Sequence, residues 1–454
     1  MHPSIFKAYD IRGVFGDDFN ADDATRIGSA VVAHTNARRV CVGRDMRASS
    51  PVLADAVLCG VTAAGADAMD IGLCSTPMFN FAVATDASVQ AGIMVSASHN
   101  PAKYNGFKLD YGDALPISSA TGMEEVKRLA LSGSSPSRRE GELEGVGHVT
   151  AASVLDPYLA RVTSLLDPVS LPPFRMVVDC GNGMGGLTMP HLAPRIRGTV
   201  ERLYWELDGT FPHHEPNPIK PENAADLMAA VRESRADIGF AFDGDADRIG
   251  VVDERGSLVR GDLLTVLFAR AALARHPGAT ILYDLRASRA VPEEIRAAGG
   301  VPVATRVGHA LIKKHLRDVG GVFAGELSNH FYFSEFSEME ATEYAMLQLL
   351  AIMGASGRKL SELIAPLERY HHSGEINFPA DDNNAIFAAL QERYAPTARE
   401  VSHLDGLTFD MGAWWFNVRP SNTEPLIRLV LETPAPRETE KMVAEIGRVI
   451  SGTA

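Results

Sequence analysis

Ala91-Gly-Ile-Met-Val-Ser-Ala-Ser-His-Asn-Pro-Ala-Lys-Tyr-Asn-Gly-Phe-Lys108 is the stretch from which the fold can be worked out. Its apolar start, Ala91 to Val95, has the length and composition of a buried strand. The run stops abruptly, because Pro101 cannot continue a central strand and Asn105-Gly106 signals a turn. Ser96 and Ser98 are therefore predicted on a loop at a strand's end, where open α/β sheets bind ligands. A hydroxyl beside His99, with Lys103 and Lys108 nearby in sequence, suits a serine that gives or receives a charged group. The plainer alternative is a polar turn.

Upstream, strands and helices alternate. Val40–Val42 and Ala66–Ile71 read as strands, and Pro51–Ala64 and Met78–Ala84 as helices. Alternation of this kind predicts a parallel-rich sheet covered by helices. Tyr9-Asp-Ile-Arg-Gly13 by itself reads as an arginine before a glycine turn, with a surface salt bridge as its default role, while Gly43-Arg-Asp-Met-Arg47, following a strand, is a basic loop that could face the cleft. Ser132–Gly147 is rich in Ser, Gly, Arg and Glu, and reads as a linker that closes a first domain.

Composition sets outer bounds. The 454 residues suggest about three domains, with 46% apolar and 22% charged residues as in ordinary globular proteins. A net charge of −14 argues against a nucleic-acid binder, yet a local cluster of Arg and Lys can still attract an anionic substrate. There is no apolar signal core and no 18-residue apolar span, so no membrane partner is expected and the expected location is cytoplasmic. Cys41, Cys59, Cys74 and Cys180 form no CxxC pair and are expected to be free thiols.

Downstream, a strand at Arg175–Cys180 runs into Gly181-Asn-Gly-Met-Gly-Gly186, with Glu206 twenty residues beyond. That spacing is a dinucleotide fingerprint and raises an NAD-dependent oxidoreductase as an alternative. The other reading is that the glycines only permit a tight turn and close helix packing. The next loop, Asp208–Pro218, carries paired histidines and three prolines, and such a rigid loop argues against a nucleotide cofactor.

The strongest local signal follows. The apolar strand Asp237–Phe242 ends in Asp243-Gly-Asp-Ala-Asp-Arg248. Three carboxylates at alternate positions, spaced by small residues, repel one another unless a cation sits among them. An all-oxygen site of this kind suits Mg²⁺. Aspartyl-phosphate phosphatases and glycosyltransferases share an Asp-x-Asp pattern, but the latter leave the Ser98 loop unexplained. Further on, Gly308-His309 opens a helix bearing Lys313 and Lys314. Gly325-Glu-Leu-Ser-Asn-His330 lies between two strand-like runs, so Glu326 and Ser328 can point the same way, towards neighbouring sugar hydroxyls. Near the end, Arg419, Ser421, Asn422 and Thr423 gather a guanidinium, hydroxyls, an amide and backbone N–H groups between strands Trp415–Val418 and Leu426–Leu431. That set suits a phosphate monoester.

In this order the motifs resemble the α-D-phosphohexomutase family, and the resemblance runs from Tyr9 to Pro425. It implies a four-domain α/β enzyme around a central cleft, with three mixed sheets covered by helices and a smaller α+β domain last. The limits are placed at 1–147 for the phosphoserine-loop domain, 148–253 for the metal-binding domain, 254–370 for sugar recognition and 371–454 for phosphate binding. The resemblance implies that Ser98 carries a phosphate and joins Asp243, Asp245 and Asp247 as a ligand of Mg²⁺. Arg12, His99, Lys108, Arg248 and His309 fall at its catalytic positions, and Glu326, Ser328 and His330 at its sugar-reading loop. Arg419, Ser421, Asn422 and Thr423 fall at its distal phosphate clamp. Arg286 stands where the family pattern has a lysine; it stays charged but cannot donate a proton as a lysine can. The implied reaction interconverts mannose 6-phosphate and mannose 1-phosphate, and glucose 6-phosphate and glucose 1-phosphate alongside, with hexose 1,6-bisphosphate as intermediate and activator. Gly-Glu-Leu-Ser-Asn-His differs from the Gly-Glu-Gln-Ser-Gly-His associated with phosphoglucosamine mutases, the nearer alternative. A phosphosugar sensor would have lost the serine or the aspartates, and neither is lost.

Overall fold

Four sheets carry the chain in this computed structural model, which describes residues 1–132, 146–380, 382–421 and 426–452. The first contains β1 (Ile11–Val14), β2 (Arg39–Arg44), β3 (Asp67–Leu73), β4 (Ala91–Val95), β5 (Tyr104–Tyr111) and β6 (Val149–Ala151), in the order β1-β5-β4-β2-β3-β6. The second contains β7 (Phe174–Asp179), β8 (Gly198–Leu203), β9 (Ile238–Phe242), β10 (Ile249–Asp253) and β11 (Leu258–Val259), in the order β11-β10-β9-β7-β8. The third contains β12 (Thr280–Asp284), β13 (Val301–Thr305), β14 (Phe323–Gly325), β15 (Phe331–Phe333) and β16 (Met339–Glu340), in the order β13-β12-β14-β15-β16.

These three sheets repeat one plan. β3, β2 and β4 run parallel, and β5 then turns back against β4. β8, β7 and β9 run parallel, and β10 turns back against β9. β13, β12 and β14 run parallel, and β15 turns back against β14. Every residue of β4 and of β9 is buried, as continuous apolar runs in parallel sheets are. Each sheet thus has one loop where the direction reverses beyond a buried parallel strand. The three loops are Ser96–Lys103, Asp243–Arg248 and Glu326–His330. The fourth sheet is antiparallel throughout: β17 (His371–Pro379), β18 (Glu400–Ser402), β19 (Leu407–Asp410), β20 (Trp415–Pro420) and β21 (Leu426–Thr433), in the order β17-β21-β20-β19-β18.

Several expectations need correcting. Asn105-Gly106 is not a turn: both residues lie inside β5, opposite Gly13 and Arg12 of β1. A Cβ at Gly106 would sit 2.0 Å from the Ile11 carbonyl oxygen, so glycine is needed there for the close approach of β1. Length suggested about three domains, and the chain builds four sheets. β6 pairs with β3, so Val149–Ala151 belongs to the first sheet although it lies beyond residue 147. Most of the stretch read as a linker, 133–145, is outside the described residues.

The helix Thr76–Thr85 starts against the Asp243–Arg248 loop, the Thr76 N–H donating to the Asp245 carbonyl at 2.9 Å, with Ser75 accepting the Met78 N–H at 3.3 Å and Pro77 in its first turn. The first three domains share a continuous buried core that includes Met69, Phe79, Tyr158, Met176, Phe268 and Phe323. The last domain keeps its own, around Phe409, Phe416, Leu429 and Ile446. Among the described residues no helix is long and apolar enough to cross a membrane.

Candidate active site

Ser98 is buried, and its backbone is left-handed at φ +48°. For a residue with a Cβ this costs free energy and needs support from its surroundings. Arg47 supplies that support. Its guanidinium, wholly buried, donates to the carbonyls of Ser98 (2.7 Å), Asn100 (2.6 Å), Pro101 (2.9 Å) and Tyr104 (3.0 Å). The Gly43–Arg47 loop was expected to face the cleft; Arg47 instead turns inward and holds the serine loop from behind. Ser96 Oγ accepts the Ser98 N–H at 3.0 Å, which orients the turn. In front, Ser98 Oγ donates to Asp243 Oδ2 at 2.8 Å and lies 3.1 Å from His99 Nδ1. Burial and the charges of Arg248 and Arg12 hold His99 well below the usual histidine range, so its imidazole is neutral. Arg12 reaches Asn100 Oδ1 and Asp10 Oδ2, each at 2.6 Å.

Asp243, Asp245 and Asp247 meet at the end of β9, their ligand atoms all within 4.8 Å of one another, and all three are buried. Ala246 takes a left-handed φ of +58°, which turns alternate side chains to one side. Burial and the neighbouring Asp247 and Asp245 push the Asp243 carboxyl well above its ordinary range. Burial also acts against the Asp247 charge, but Lys108 and His330 outweigh it and hold that carboxyl well below. Lys108, on β5, donates to Asp245 Oδ2 at 2.6 Å and to Asp247 Oδ2 at 2.5 Å. Asp245 Oδ1 is buried with no hydrogen-bond partner. An unpartnered oxygen in a buried triad of hard carboxylates fits a divalent cation. Thr76 Oγ1 donates to Asp245 Oδ2 at 2.6 Å. Sequence reasoning missed Thr76; its only signal was Ser75-Thr76-Pro77 at a helix start.

The third loop closes the far wall. Ser328 Oγ donates to Glu326 Oε2 at 2.6 Å, and His330 Nδ1 lies 3.1 Å from the same oxygen. His330 Nε2 is 3.3 Å from Asp247 Oδ1, and Arg248 Nε lies 3.2 Å from the same ring nitrogen. Burial opposes the His330 charge, but Asp247 and Glu326 raise its pKa to about 9. Glu326 Oε1 is buried and unpartnered, which suits acceptance of a donor from a ligand. His309, first residue of the helix His309–Asp318, is held well below its usual range by burial and by Lys313 and Lys108.

Tyr9 marks the point where the first, third and fourth domains meet. Its hydroxyl donates to the Val307 carbonyl at 3.0 Å, and the Val307 N–H donates to Asp405 Oδ2 at 3.0 Å. Burial and Asp405 push the phenol up to about 12, with Glu326 and Arg419 also acting on it. Arg286 is not left open to the cleft: Asp284 accepts from it at 2.7 and 3.2 Å, and Glu375 at 3.4 Å. Arg419 and Arg428 also bind Glu375, at 2.5 and 2.8 Å. Ser421 Oγ accepts from Arg428 at 3.2 Å. Asn422 and Thr423 lie outside the described residues. Glu375 escaped notice in the sequence, because one carboxylate in a strand carries no local signal.

The dinucleotide-like glycines serve packing. A Cβ at Gly183 would lie 2.8 Å from the Gly244 carbonyl oxygen, and one at Gly186 would lie 2.1 Å from that of Trp205. The Met184 N–H donates to the Gly244 carbonyl at 2.9 Å. The backbone of the aspartate loop therefore occupies the space that a pyrophosphate would need.

A buried serine joined to an aspartate triad, together with a cluster of arginines on the third and fourth domains, suits a small phosphorylated substrate, and the relatives of this chain give the family. The four phosphoglucomutase/phosphomannomutase domains match in order: alpha/beta/alpha domain I at residues 3–136, II at 156–256, III at 260–370, and the C-terminal domain at 375–449. The chain is 40% identical over 430 residues to the phosphohexose mutases of Xanthomonas campestris, covering 94% of each. It is 36% identical to phosphomannomutase/phosphoglucomutase of Pseudomonas aeruginosa, over 97% of this chain and 94% of that one. A solved phosphoglucomutase/phosphomannomutase family protein of Burkholderia thailandensis superposes with a TM-score of 0.89 at 32% identity, covering 100% of this chain and 98% of that one. This chain belongs to the phosphoglucomutase/phosphomannomutase family and is a phosphohexomutase, an isomerase. An oxidoreductase is not favoured.

Proposed function

We propose that this phosphohexomutase interconverts mannose 6-phosphate and mannose 1-phosphate, and the corresponding glucose phosphates, through a phosphate carried on Ser98. The observation that carries the reading is the 2.8 Å contact between Ser98 Oγ and Asp243, which joins the hydroxyl to the aspartate triad. Asp243, Asp245 and Asp247, with the Ser98 phosphate, would hold Mg²⁺. Bound there, the ion would neutralise charge on the passing phosphoryl group. Arg12 and Lys108 add fixed positive charge beside Ser98. Glu326 and Ser328 hold two sugar hydroxyls, and His330 keeps Glu326 ionised. His309, held neutral, takes the proton from the hydroxyl that receives the phosphoryl group. The phosphate of Ser98 passes to the substrate, giving a hexose 1,6-bisphosphate. The bisphosphate reverses, and Ser98 recovers a phosphate from the other end; the same bisphosphate primes unphosphorylated enzyme. Arg419 and Ser421 hold whichever phosphate is distal. Arg286 stays charged and only positions.

Coupled assays with mannose 1-phosphate, glucose 1-phosphate and glucosamine 1-phosphate side by side test the substrate. Fastest turnover of glucosamine 1-phosphate would overturn it. Phosphopeptide mass spectrometry of active enzyme should find phosphate on Ser98, and phosphate on Ser96 alone would refute that assignment. Activity in EDTA equal to that in Mg²⁺ would sink the metal reading.

A further inference from the structure

Glu375 stands among three arginines from two domains. It is the sixth residue beyond Arg369, just after the chain passes from the third domain to the fourth. Its Oε2 accepts from Arg419 at 2.5 Å and lies 3.4 Å from Arg286, while its Oε1 accepts from Arg428 at 2.8 Å. Arg286 already has its own counterion in Asp284, so it does not need Glu375 for neutrality. Among the described residues, Glu375 is thus shared by guanidinium groups from both domains. Arg419 and Arg286 are buried, and Glu375 keeps about a fifth of its side chain exposed. A carboxylate and a phosphate present similar oxygens to a guanidinium fork. The Glu375 carboxylate therefore sits where it competes with an incoming phosphate for the same donors.

We propose that Glu375 is a built-in counter-anion of the distal clamp. It keeps the arginines pre-oriented, and it weakens their hold so that the bisphosphate can let go of one end and offer the other. The proposal rests on the reading of Arg419 as a distal phosphate contact. A clamp without it would bind phosphate more tightly and turn over more slowly, since the bisphosphate must let go of the clamp before it can offer its other end, and such release steps often limit kcat. Burial works against the Glu375 charge, but Arg286, Arg419 and Arg428 hold its carboxyl down at about 2, so the counter-anion stays charged at all working pH.

The test is Glu375→Gln, which keeps the shape and removes the charge. Titration calorimetry at low salt with inorganic phosphate, and separately with hexose 6-phosphate, should give Kd values lowered on the order of tenfold, as for one more charge-assisted contact. KM and kcat should fall together, and less free bisphosphate should leave the enzyme. A purely structural role for Glu375 would disorder the arginines and weaken phosphate binding, and weaker or unchanged binding overturns the proposal. If the Gln variant does not fold, Glu375→Asp reads the same point, with a smaller gain from a carboxylate drawn back by one methylene. Failure of both to fold would make Glu375 a structural ion of the domain junction, and the proposal falls. Should the chain turn over no hexose phosphate, the inorganic phosphate arm still reports on Glu375 alone.

Discussion

Ser98 illustrates how one residue's chemistry depends on another that never touches substrate. Its left-handed backbone is held by the four carbonyl contacts of Arg47, a side chain with no exposure at all. Lysine has the charge but not the planar fork, and could not reach the same set of oxygens. Arg47→Lys should lower stability by about 2–3 kcal/mol in denaturant titration and slow phosphorylation of Ser98; unchanged stability would show that the loop holds itself. Asp110 makes a second case. Burial pushes its carboxyl up to about 6, with Glu340 adding to the shift and Lys313 and Lys108 opposing it. The folded state thus binds this proton more tightly than the unfolded chain, where an aspartate titrates near 3.9. Stability from this group is full below about pH 4 and is lost as pH rises through 6. The gain of Asp110→Asn over the parent should therefore grow from near zero at about pH 4 to about 3 kcal/mol at pH 7. Melting curves across that range check it, and a difference independent of pH would exclude titration of Asp110 as the cause.

Among the elements, the recurring unit is the hairpin that ends each parallel run. β4–β5 presents Ser98, β9–β10 the aspartates, and β14–β15 Glu326 and His330. Loops at such switch points are where α/β sheets bind ligands. The second loop leans on the glycine run before the helix Gly185–Leu192. Adding a methyl at Gly183 would press on Gly244 O at 2.8 Å and Asp243 O at 3.1 Å, both backbone atoms that cannot swing aside. Gly183→Ala should cost about 1–3 kcal/mol as overpacking and raise the metal concentration needed for half activity. A variant with normal metal dependence would separate the glycine run from the site.

For the whole molecule, one apolar cluster runs through the first three domains, beside smaller ones of their own, while the fourth is built around a separate cluster. The fourth therefore meets the others largely through polar contacts, such as Arg289 to Asp410 at 2.6 Å and Val307 to Asp405. Polar interfaces between domains favour relative motion, and hinge closure is a common way to seal a cleft. Arg419 belongs to that fourth domain, far in sequence from Ser98. Arg419→Ala should keep the Ser98 phosphate and the metal requirement but lower kcat/KM by roughly 10- to 150-fold. Wild-type KM with no leaked bisphosphate would remove Arg419 from the clamp.

The local chemistry was legible in the sequence wherever a motif is contiguous. Ala91–Val95 ending in Ser98-His99, and Ile238–Phe242 ending in three alternating aspartates, declare strand, loop and charge within one short window, because apolar runs and like charges act over neighbouring residues. Contacts between distant segments were not legible. Asn105-Gly106 reads as a turn until β1 is seen lying against it, and Gly183 reads as a nucleotide loop until Gly244 fills the space. Arg47 looks like a cleft residue until its side chain is found turned into the serine loop. Glu375, with its three arginines, has no signature at all, since Arg286 is 89 positions away and Arg419 is 44. Charge and hydrogen-bond partners act over a few ångströms of space rather than along the chain, so only the packed structure decides which of them meet.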